Sequence, residues 1–410
     1  MKGFNNFIKD LSSLPNIDKS IINCFKYFYE KISVETENNL DLISILLDTI
    51  LSIGFVSINA TNDEDSYTIF EILNARGIDL EDHELIKNFV MRYIQPVQDR
   101  DEAKSKWSEV ENKLGDDMSL FFAHYVTHRY GIKSNKTDNR PYKIINKNEK
   151  GKSTTDLLED IILKSDFYKK IIYPEGKDCS LTESKVFKFF KTRRQRQFRP
   201  LILSLMHQKN LGNLSEEEYN STLMYLYNFF VCYNIIGQEN SNKLEDVVYK
   251  YSGLLENNFS HQMLSDFKKA IKERMPGYNW FVIAFKKIGY SSSKHKLFTG
   301  SQMSNSVRIV LDIIENYFGD KNDYDYTIEH IVPDSTEDEI VVQLGNLLPL
   351  EKNLNDEIGD MLLPDKLSVY GKSKFLLVAD FVKNYDKDWD IEKRTEMLAD
   401  IVFNKILIFD

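Results

Sequence analysis

Three residues with the chemistry needed to hydrolyse a phosphodiester occur together in the last quarter of the chain. Glu329 and His330 are adjacent, and Asn355 follows His330 by 25 residues. Carboxylate and amide oxygens are ligands for a hard cation such as Mg²⁺ or Mn²⁺, and one such ion can stabilise charge developing on a phosphate. A neutral imidazole can take a proton from attacking water near pH 7. We therefore expect Glu329 and Asn355 to bind one metal ion and His330 to act as general base.

These residues lie in segments whose composition predicts a small ββα unit. The runs YTIEHIV and IVVQLGNLLPL are typical of strands, and LEKNLNDEIG is typical of a short helix. A further asparagine, Asn346, lies in the second predicted strand, 16 residues after His330. Spacing alone leaves another interpretation open, in which His330 is a packed strand residue and Asn346 caps a turn.

The same segment resembles the His-Asn-His (HNH) endonuclease domain of GmrD-type restriction proteins. That family has a Glu/Asp-His-Ile-x-Pro strand, a Gly-Asn-Leu-x-x-Leu segment, an Asn on the next helix, and a downstream Lys and Tyr. The residues that match this pattern are Glu329 to Pro333, Gly345 to Leu350, Asn355, Lys366 and Tyr370. The resemblance implies that His330 is the general base and that Asn346 is a catalytic residue that fixes the loop carrying it. It also implies that Glu329 and Asn355 bind the metal.

Two features of the segment bear on that match. The span between His330 and Gly345 is shorter than we expect of the family. Asn353 competes with Asn355 as a ligand, since the two are only two residues apart. On a helix their side chains would point in different directions, and we favour Asn355.

An upstream segment, IFEILNARGIDLEDHELIKNFV, is similar to the closing motif of the GmrS-type domain, the ParB-like, nucleotide-hydrolysing half of the same systems. Arg76 and Lys87 are candidates for binding an anion such as a nucleotide phosphate; alternatively, Arg76 stabilises a helix break by bonding to backbone carbonyls. The Gln-Gln-Arg motif of that family does not occur. We therefore expect either a partner protein that carries this N-terminal half or its removal from this chain. The similarity includes Phe70, Asn74, Arg76, Gly77, Leu80, Leu85, Lys87 and Asn88.

A basic segment in the middle of the chain, KVFKFFKTRRQRQFR, interleaves cations with phenylalanines. On a helix this pattern presents an apolar face to the core and a basic face that suits a DNA backbone. The alternative is a solvated face, or pairing with the acidic residues of the chain. The candidates for DNA contact are Arg193, Arg194, Arg196, Arg199 and, beside the chemical site, Lys366.

Composition favours a mainly α protein. The 410 residues include only 17 Gly and 9 Pro, against 26 Phe and 22 Tyr, and apolar residues recur at helical spacing through most of the chain. We expect a helical body followed by a small ββα-metal (HNH) nuclease domain. The predicted division is a helical GmrS-like portion at 1–100, a helical middle at 101–300 and the nuclease domain at 301–410.

The net charge of −10 argues against a broadly basic surface that coats nucleic acid, although local basic patches remain compatible with it. The three cysteines show no CxxC spacing, so neither a disulfide framework nor a zinc knuckle is indicated. No signal-peptide pattern or long apolar run occurs, so we expect a cytoplasmic protein without membrane contact.

These observations predict a Mg²⁺- or Mn²⁺-dependent DNA endonuclease or nickase of a GmrSD-like restriction system, which acts in phage defence. A catalytically silent helical interaction subunit, docked to a separate sensor half, is the alternative from a different functional class. Cleavage of RNA and assembly into a homo-oligomer both stay open. Serine-hydrolase and Walker-type chemistry are unsupported, because neither a nucleophile elbow nor a GxxxxGK[ST] loop occurs.

Overall fold

The computed structural model describes most of the chain, and the chain forms two compact units, residues 1–69 and residues 70–410. The predicted three-domain division stays a prediction. The described residues are 19–36, 41–54, 80–275, 277–292, 295–319, 325–359 and 361–409.

The first unit contains two described helices, α1 (Lys19–Thr36) and α2 (Asp41–Leu51). Apolar spacing between residues 17 and 53 predicts two helices here, and the structure confirms both. Several of their large apolar side chains are exposed, including Leu51 at 74%. The run IGFVSINA at 53–60 is short and rich in β-branched residues, which predicts a strand, but it lies largely outside the described residues.

The first described helix in the helical body of the second unit starts at Asp82. The helices of this body pack around one central helix, α9 (Arg199–Asn210), whose Leu201, Leu203 and Leu205 are fully buried. It packs mainly against α11 (Glu245–Asn257) and α5 (Met118–Tyr130). The helices of the body are α3 (Asp82–Tyr93), α4 (Arg100–Leu114), α5 (Met118–Tyr130), α6 (Pro141–Glu149), α7 (Thr154–Ile172), α8 (Leu181–Thr192), α9 (Arg199–Asn210), α10 (Glu216–Phe230), α11 (Glu245–Asn257) and α12 (His261–Lys272).

Local sequence explains where several of these helices begin and end. The Ser180 hydroxyl accepts from the backbone N–H of Glu183, whose side chain bonds back, so α8 starts with a capping box. Helix α5 ends at Gly131, which has φ +66°, a conformation that favours glycine. A Cβ on Gly253 of α11 would lie 2.7 Å from the Gly131 backbone, so glycine permits this close crossing.

A buried ionic network joins α5, α7 and α11 inside the body. The fully buried Lys164 ammonium donates to Asp160 Oδ1 at 3.0 Å and to Glu256 Oε1 at 3.2 Å. The Arg129 guanidinium contacts the other Asp160 oxygen at 2.7 Å. The same guanidinium contacts the buried Glu149 at 3.2 Å, and His207 lies 2.7 Å from Glu256. Each buried carboxylate of the network therefore has a cationic or imidazole partner, as burial of charge requires. His128 lies beside them, with Nε2 3.4 Å from Glu256.

The C-terminal part of the second unit carries a two-stranded antiparallel hairpin among helices. Thr327 pairs with Leu350 and His330 pairs with Leu347, and a helix follows the second strand, so the predicted ββα order is confirmed. The elements are α13 (Tyr278–Lys286), α14 (Ser301–Phe318), β1 (Thr327–His330), β2 (Leu347–Leu350), α15 (Lys352–Ile358), α16 (Leu363–Tyr370), α17 (Leu376–Asn384) and α18 (Ile391–Ile401).

The second strand is shorter than predicted, because β2 starts only at Leu347. The preceding residues form two short 3₁₀ turns, Glu339–Val342 and Leu344–Asn346. The placing of Asn346 on the strand was therefore wrong, since this residue ends the second turn. Its side chain bonds to the backbone of the connection and holds the chain in turns there.

The described chain is mainly α, as composition and spacing predict. Its named strands are β1 and β2, and an isolated bridge joins Gly289 to Gln343. Within the described ranges, no helix combines the length and apolar character needed to cross a membrane.

Acid is expected to destabilise the helical body through His124 and His128. Burial lowers the pKa of His124 to about 3 and that of His128 to about 4, whereas an unfolded histidine titrates near 6.5. Below pH 6.5 the unfolded state binds more protons at these histidines than the folded state does. Their contribution to the free energy of unfolding is therefore fully present above about pH 6.5 and is lost as the pH falls. For each histidine, lowering the pH from 7 to 5 should reduce the free energy of unfolding by about 2 kcal/mol.

Urea unfolding at pH 7 and pH 5 checks this for the wild type, His124→Gln, His128→Gln and the exposed control His261→Gln. The two buried variants should lose less stability on acidification than the control. An equal pH dependence in all four proteins would contradict the expectation.

Candidate active site

His330 ends strand β1 with its side chain against a segment 40 residues upstream. Its Nε2 lies 2.8 Å from the backbone carbonyl of Tyr290, and the two rings stack at 5.9 Å. A carbonyl only accepts hydrogen bonds, so Nε2 must carry the proton. In the neutral imidazole the lone pair is then on Nδ1, and no hydrogen bond within the described residues occupies it. This tautomer provides a base.

The segment that holds His330 is itself anchored to the hairpin. The Tyr290 N–H donates to the Val342 carbonyl at 3.0 Å. Asp334, just after β1, accepts from the Ser291 hydroxyl at 2.9 Å and from the Ser292 N–H at 2.7 Å. Burial alone would raise the pKa of the Asp334 carboxyl, but the serine donors outweigh burial and lower it. An ionised Asp334 therefore ties this segment to the strand end.

No sequence pattern pointed to Tyr290, Ser291 or Asp334. Their contacts join parts of the chain that lie about 40 residues apart, and the key acceptor is a backbone carbonyl, which any residue type supplies. The run GYSSSK is a turn signal in the sequence, but it contains no indication of which element the turn contacts.

Asn346 fixes the connection that follows His330. Its Oδ1 accepts from the Val332 N–H at 2.7 Å, and its Nδ2 donates to the carbonyls of Val332 at 2.9 Å and Val341 at 2.6 Å. The side chain is fully buried and bonds to the buried Val341 carbonyl and to both backbone groups of the partly buried Val332. Asn346 therefore braces the loop after His330, and its catalytic role stays a prediction.

Gly345 is required at its position by a close approach of helix α18. An added Cβ would lie 2.1 Å from the Ile391 carbonyl and 2.4 Å from Thr395 Oγ1. The Gly345 N–H donates to that hydroxyl at 3.0 Å, and Arg394 donates to the Gly345 carbonyl at 2.7 Å. The Gly-Asn pair thus docks α18 with one residue and braces the loop with the other.

Glu329 is buried and already paired. Lys366 of α16 donates to Glu329 Oε1 at 2.7 Å and to the His330 carbonyl at 2.7 Å. The Tyr370 hydroxyl donates to the same Oε1 at 3.0 Å. Burial and the Glu329 carboxylate raise the pKa of Tyr370 far above its usual range, so this hydroxyl stays protonated. Glu329 Oε2 takes part in none of these bonds.

Asn355 faces the hairpin, whereas Asn353 is exposed. Asn355 Nδ2 donates to the Thr327 hydroxyl at 2.6 Å, which leaves Oδ1 outside that bond. Asn355 is thus on the side of α15 that contacts the strand, and the choice of Asn355 over Asn353 as a metal ligand stays a prediction.

The candidate residues divide between the two faces of β1. Thr327 and Glu329 face α15 and α16, and His330 faces Tyr290, as the alternation of side chains along a strand requires. The structure therefore brings Glu329 and Asn355 to one face of the hairpin. The imidazole of His330 lies on the opposite face at the strand end.

The residues suggested for DNA contact have different surroundings. Arg194 and Arg196 are exposed in the loop after α8, and Arg193 is partly buried. Arg199 is buried, and its guanidinium donates to the Tyr168 hydroxyl at 2.8 Å, so its proposed exposure to DNA was wrong. Lys366 is only 2% exposed, and its ammonium is held by Glu329, so it also does not face solvent.

Of the two residues suggested for nucleotide phosphate, Lys87 pairs with Glu111 at 2.9 Å on the surface between α3 and α4. Arg76 lies outside the described residues. The role of this pair in binding a nucleotide phosphate therefore stays a prediction.

Two protein-family models match the chain. The model of the N-terminal domain of the GmrSD restriction endonuclease matches residues 3–91, and that of the C-terminal domain of GmrSD restriction endonucleases matches residues 266–401. Together the matches cover more than half of the chain. The second includes the whole hairpin with α15 to α18. No curated protein matches the chain.

Replacing Lys366 with methionine is expected to lower the unfolding free energy by about 3–5 kcal/mol, because it leaves the Glu329 carboxylate buried without its cation. Adding Glu329→Gln to the same protein should recover much of that loss. The exposed Lys372, which pairs with Glu357 at 2.6 Å, provides the control, since Lys372→Met should cost less than about 1 kcal/mol.

Urea unfolding at pH 7 measures all four proteins. If Lys366 contacted DNA instead, replacing it with methionine would leave the unfolding free energy unchanged. The replacement would then lower the salt dependence of DNA binding by about one charge. That result would contradict the buried pair.

Proposed function

Because the chain belongs to the GmrSD restriction endonuclease family, we propose that it is a metal-dependent DNA endonuclease or nickase of the HNH type. Its catalytic centre is the hairpin that carries His330, and its role is the restriction of foreign DNA. The helical body presents the DNA to this hairpin. Arg194 and Arg196, the exposed arginines of the loop after α8, are the proposed phosphate contacts.

The observation that carries the proposal is the tautomer of His330. A hydrolytic base needs an unprotonated nitrogen held in a fixed direction. The Tyr290 carbonyl keeps the proton on Nε2, so Nδ1 is the atom that takes a proton from attacking water. Asp334, held by Ser291 and Ser292, stabilises the imidazolium that results. Asn346 keeps the loop after the strand rigid, so the base does not drift.

The proposed ion is held by oxygens of Glu329 and Asn355. Glu329 and His330 point to different faces of β1 but are adjacent at the end of the strand, so the proposal requires the phosphate to bind at that strand end, within reach of both the ion and the base. Glu329 Oε2 and Asn355 Oδ1 are donors of the kind that Mg²⁺ and Mn²⁺ accept, and a set of two leaves positions for water and phosphate. When bound, the ion supplies stabilisation of the charge on the phosphate and on the leaving oxygen. The donor chemistry fits, although Lys366 shares the Glu329 carboxylate with the ion in this arrangement.

One contact favours a second candidate function. The buried Lys366 ammonium already neutralises Glu329, as is typical of a structural pair. A helical interaction subunit with a silent nuclease site would show this contact too. Both candidate functions are compatible with regulation by a partner protein that carries the Gln-Gln-Arg motif. Both are also compatible with a homo-oligomer of this chain.

Substitution of His330 tests the first candidate. The wild type with Mn²⁺ should convert supercoiled plasmid to nicked or linear DNA. His330→Gln should lower that rate by about 10²–10⁴-fold, the usual contribution of a general base. A glutamine amide can still donate to the Tyr290 carbonyl, so the fold should persist while the base is lost.

The exposed His261→Gln is the matched control and should cleave as the wild type does. Equal cleavage by His330→Gln would rule out the proposed base. Inertness of the wild type, with labelled RNA as well as DNA and with the partner added, would favour the interaction subunit.

The ion ligands are tested by two neighbouring asparagines on α15. Asn355→Ala should raise the Mn²⁺ concentration for half-maximal cleavage by roughly tenfold or more, on the scale of lost metal-site contacts. Asn353→Ala, two residues away and exposed, should leave it unchanged. The same shift in both variants, or in neither, would remove Asn355 from the ion site.

A further inference from the structure

A polar cavity of about 660 Å³ lies between the loop after α8, the end of α10 and the start of α14. Its volume is within the range of ligand pockets, about 300–1,000 Å³. The cavity lies apart from the Glu329 and His330 residues proposed for catalysis, none of which lines it. The side chains that matter for its chemistry are Arg193, Arg194, Gln195, Asn234 and Phe230.

Among the residues that the structure describes, three buried polar atoms of this lining have no hydrogen-bond partner: Arg193 Nε, Gln195 Nε2 and Asn234 Oδ1. Gln195 is only 4% exposed, and its Oε1 accepts from the Gln197 N–H at 2.6 Å, which assigns the free atom as the Nε2 donor. Asn234 Nδ2 donates to the Glu239 carbonyl and to the Ser241 hydroxyl, both at 2.7 Å, which leaves Oδ1 as a free acceptor. Such groups are rare because each costs desolvation free energy.

The backbone around the cavity is unusual on two sides. Arg194 and Gln238 both have φ +53°, a conformation that costs free energy for residues other than glycine. Helix α10 continues into a π-helix, Val231–Ile236, and this turn places Asn234 in the lining. Strained residues and π-turns concentrate at functional sites, and here they converge on one cavity.

The charge of the lining favours an anion. Neither Arg193 nor Arg194 forms an ion pair within the part of the chain that the structure describes, and burial lowers the pKa of Arg193. The lining carboxylate, Glu239, is engaged by Lys243 at 2.6 Å. A partly buried guanidinium without a carboxylate is a binding group for phosphate.

We propose that this cavity binds a nucleotide, with the phosphate on Arg193 and Arg194 and the edge of the base on Gln195 and Asn234. A base edge presents hydrogen-bond acceptors and donors side by side, which complements the free donor of Gln195 and the free acceptor of Asn234. The Phe230 ring supplies an apolar surface for the base.

The nucleotide has two possible sources, a free nucleoside phosphate or one nucleotide turned out of a DNA strand. The second source rests on the proposed nuclease function, because it makes the cavity a substrate-binding site. Turning a nucleotide out of a duplex costs a few kcal/mol of stacking and pairing, and contacts in such a pocket offset that cost.

Binding is measured on the full chain carrying His330→Gln, in EDTA, so that cleavage plays no part. The probes are the four deoxynucleoside 5′-monophosphates, followed by calorimetry, and a short DNA duplex carrying 2-aminopurine, followed by fluorescence. Whether the wild type cleaves plasmid is a separate measurement, so failure of the proposed function does not obscure the result.

Two variants remove cavity groups with little disturbance of the backbone. Arg194→Gly tolerates φ +53° and removes the guanidinium. Gln195→Glu keeps the acceptor for Gln197 and replaces the free donor with an oxygen. Each should weaken binding by about tenfold or more, the equivalent of one charge-assisted hydrogen bond. Lys188→Gln, which removes an exposed cation of α8 outside the cavity, should change binding less than about twofold.

The probes also distinguish the sources. Tighter binding of the duplex, with a rise in 2-aminopurine fluorescence that both Arg194→Gly and the buried Gln195→Glu abolish, assigns the cavity to a strand nucleotide. Binding of a monophosphate without that rise assigns it to a free nucleotide. Absence of binding by every probe, or binding that both cavity variants retain while thermal unfolding shows them folded, would overturn the proposal.

Discussion

The arrangement of the nuclease hairpin depends on one side-chain amide. Asn346 replaces three backbone partners that a regular ladder would supply, at Val332 and Val341. Without it the buried Val341 carbonyl and the partly buried Val332 carbonyl would lose this donor. Because Gly345, next to it, docks α18, the same short turn joins the hairpin to the C-terminal helices. The position of His330 at the end of β1 follows from this bracing.

A second constraint comes from the strand itself. Adjacent residues on β1 point to opposite faces, so Glu329 and His330 have separate environments despite being neighbours in sequence. Glu329 enters a buried cluster with Lys366 and Tyr370, and His330 meets a carbonyl from a distant segment. Their side chains therefore bond to different partners. A substitution at Lys366 is expected to change the surroundings of the Glu329 carboxylate more than those of the His330 imidazole.

The fold class, the ββα order and the residues of the hairpin could be predicted from the sequence. Helical spacing and strand composition depend only on residues that are close together along the chain. The second strand was predicted too long, since the apolar run from Ile340 does not reveal the Asn346 bonds that keep residues 339–346 in turns. The sequence predicts DNA contact for Arg199 and Lys366, because the type of a charged residue does not show whether it is buried. Only tertiary packing places them on Tyr168 and Glu329. The contacts of Tyr290 and Asp334 were inaccessible for the same reason.

The carbonyl that fixes His330 belongs to the main chain of Tyr290. Replacing the side chain at position 290 would leave that carbonyl in place. The proton would therefore stay on Nε2 of His330 whichever residue occupies position 290. This arrangement does not tolerate a shift of the backbone. Any change that lengthens, shortens or detaches residues 289–292 would free the ring to exchange its proton between the two nitrogens. The reactivity of the histidine is thereby linked to the docking of a loop rather than to the identity of a neighbour.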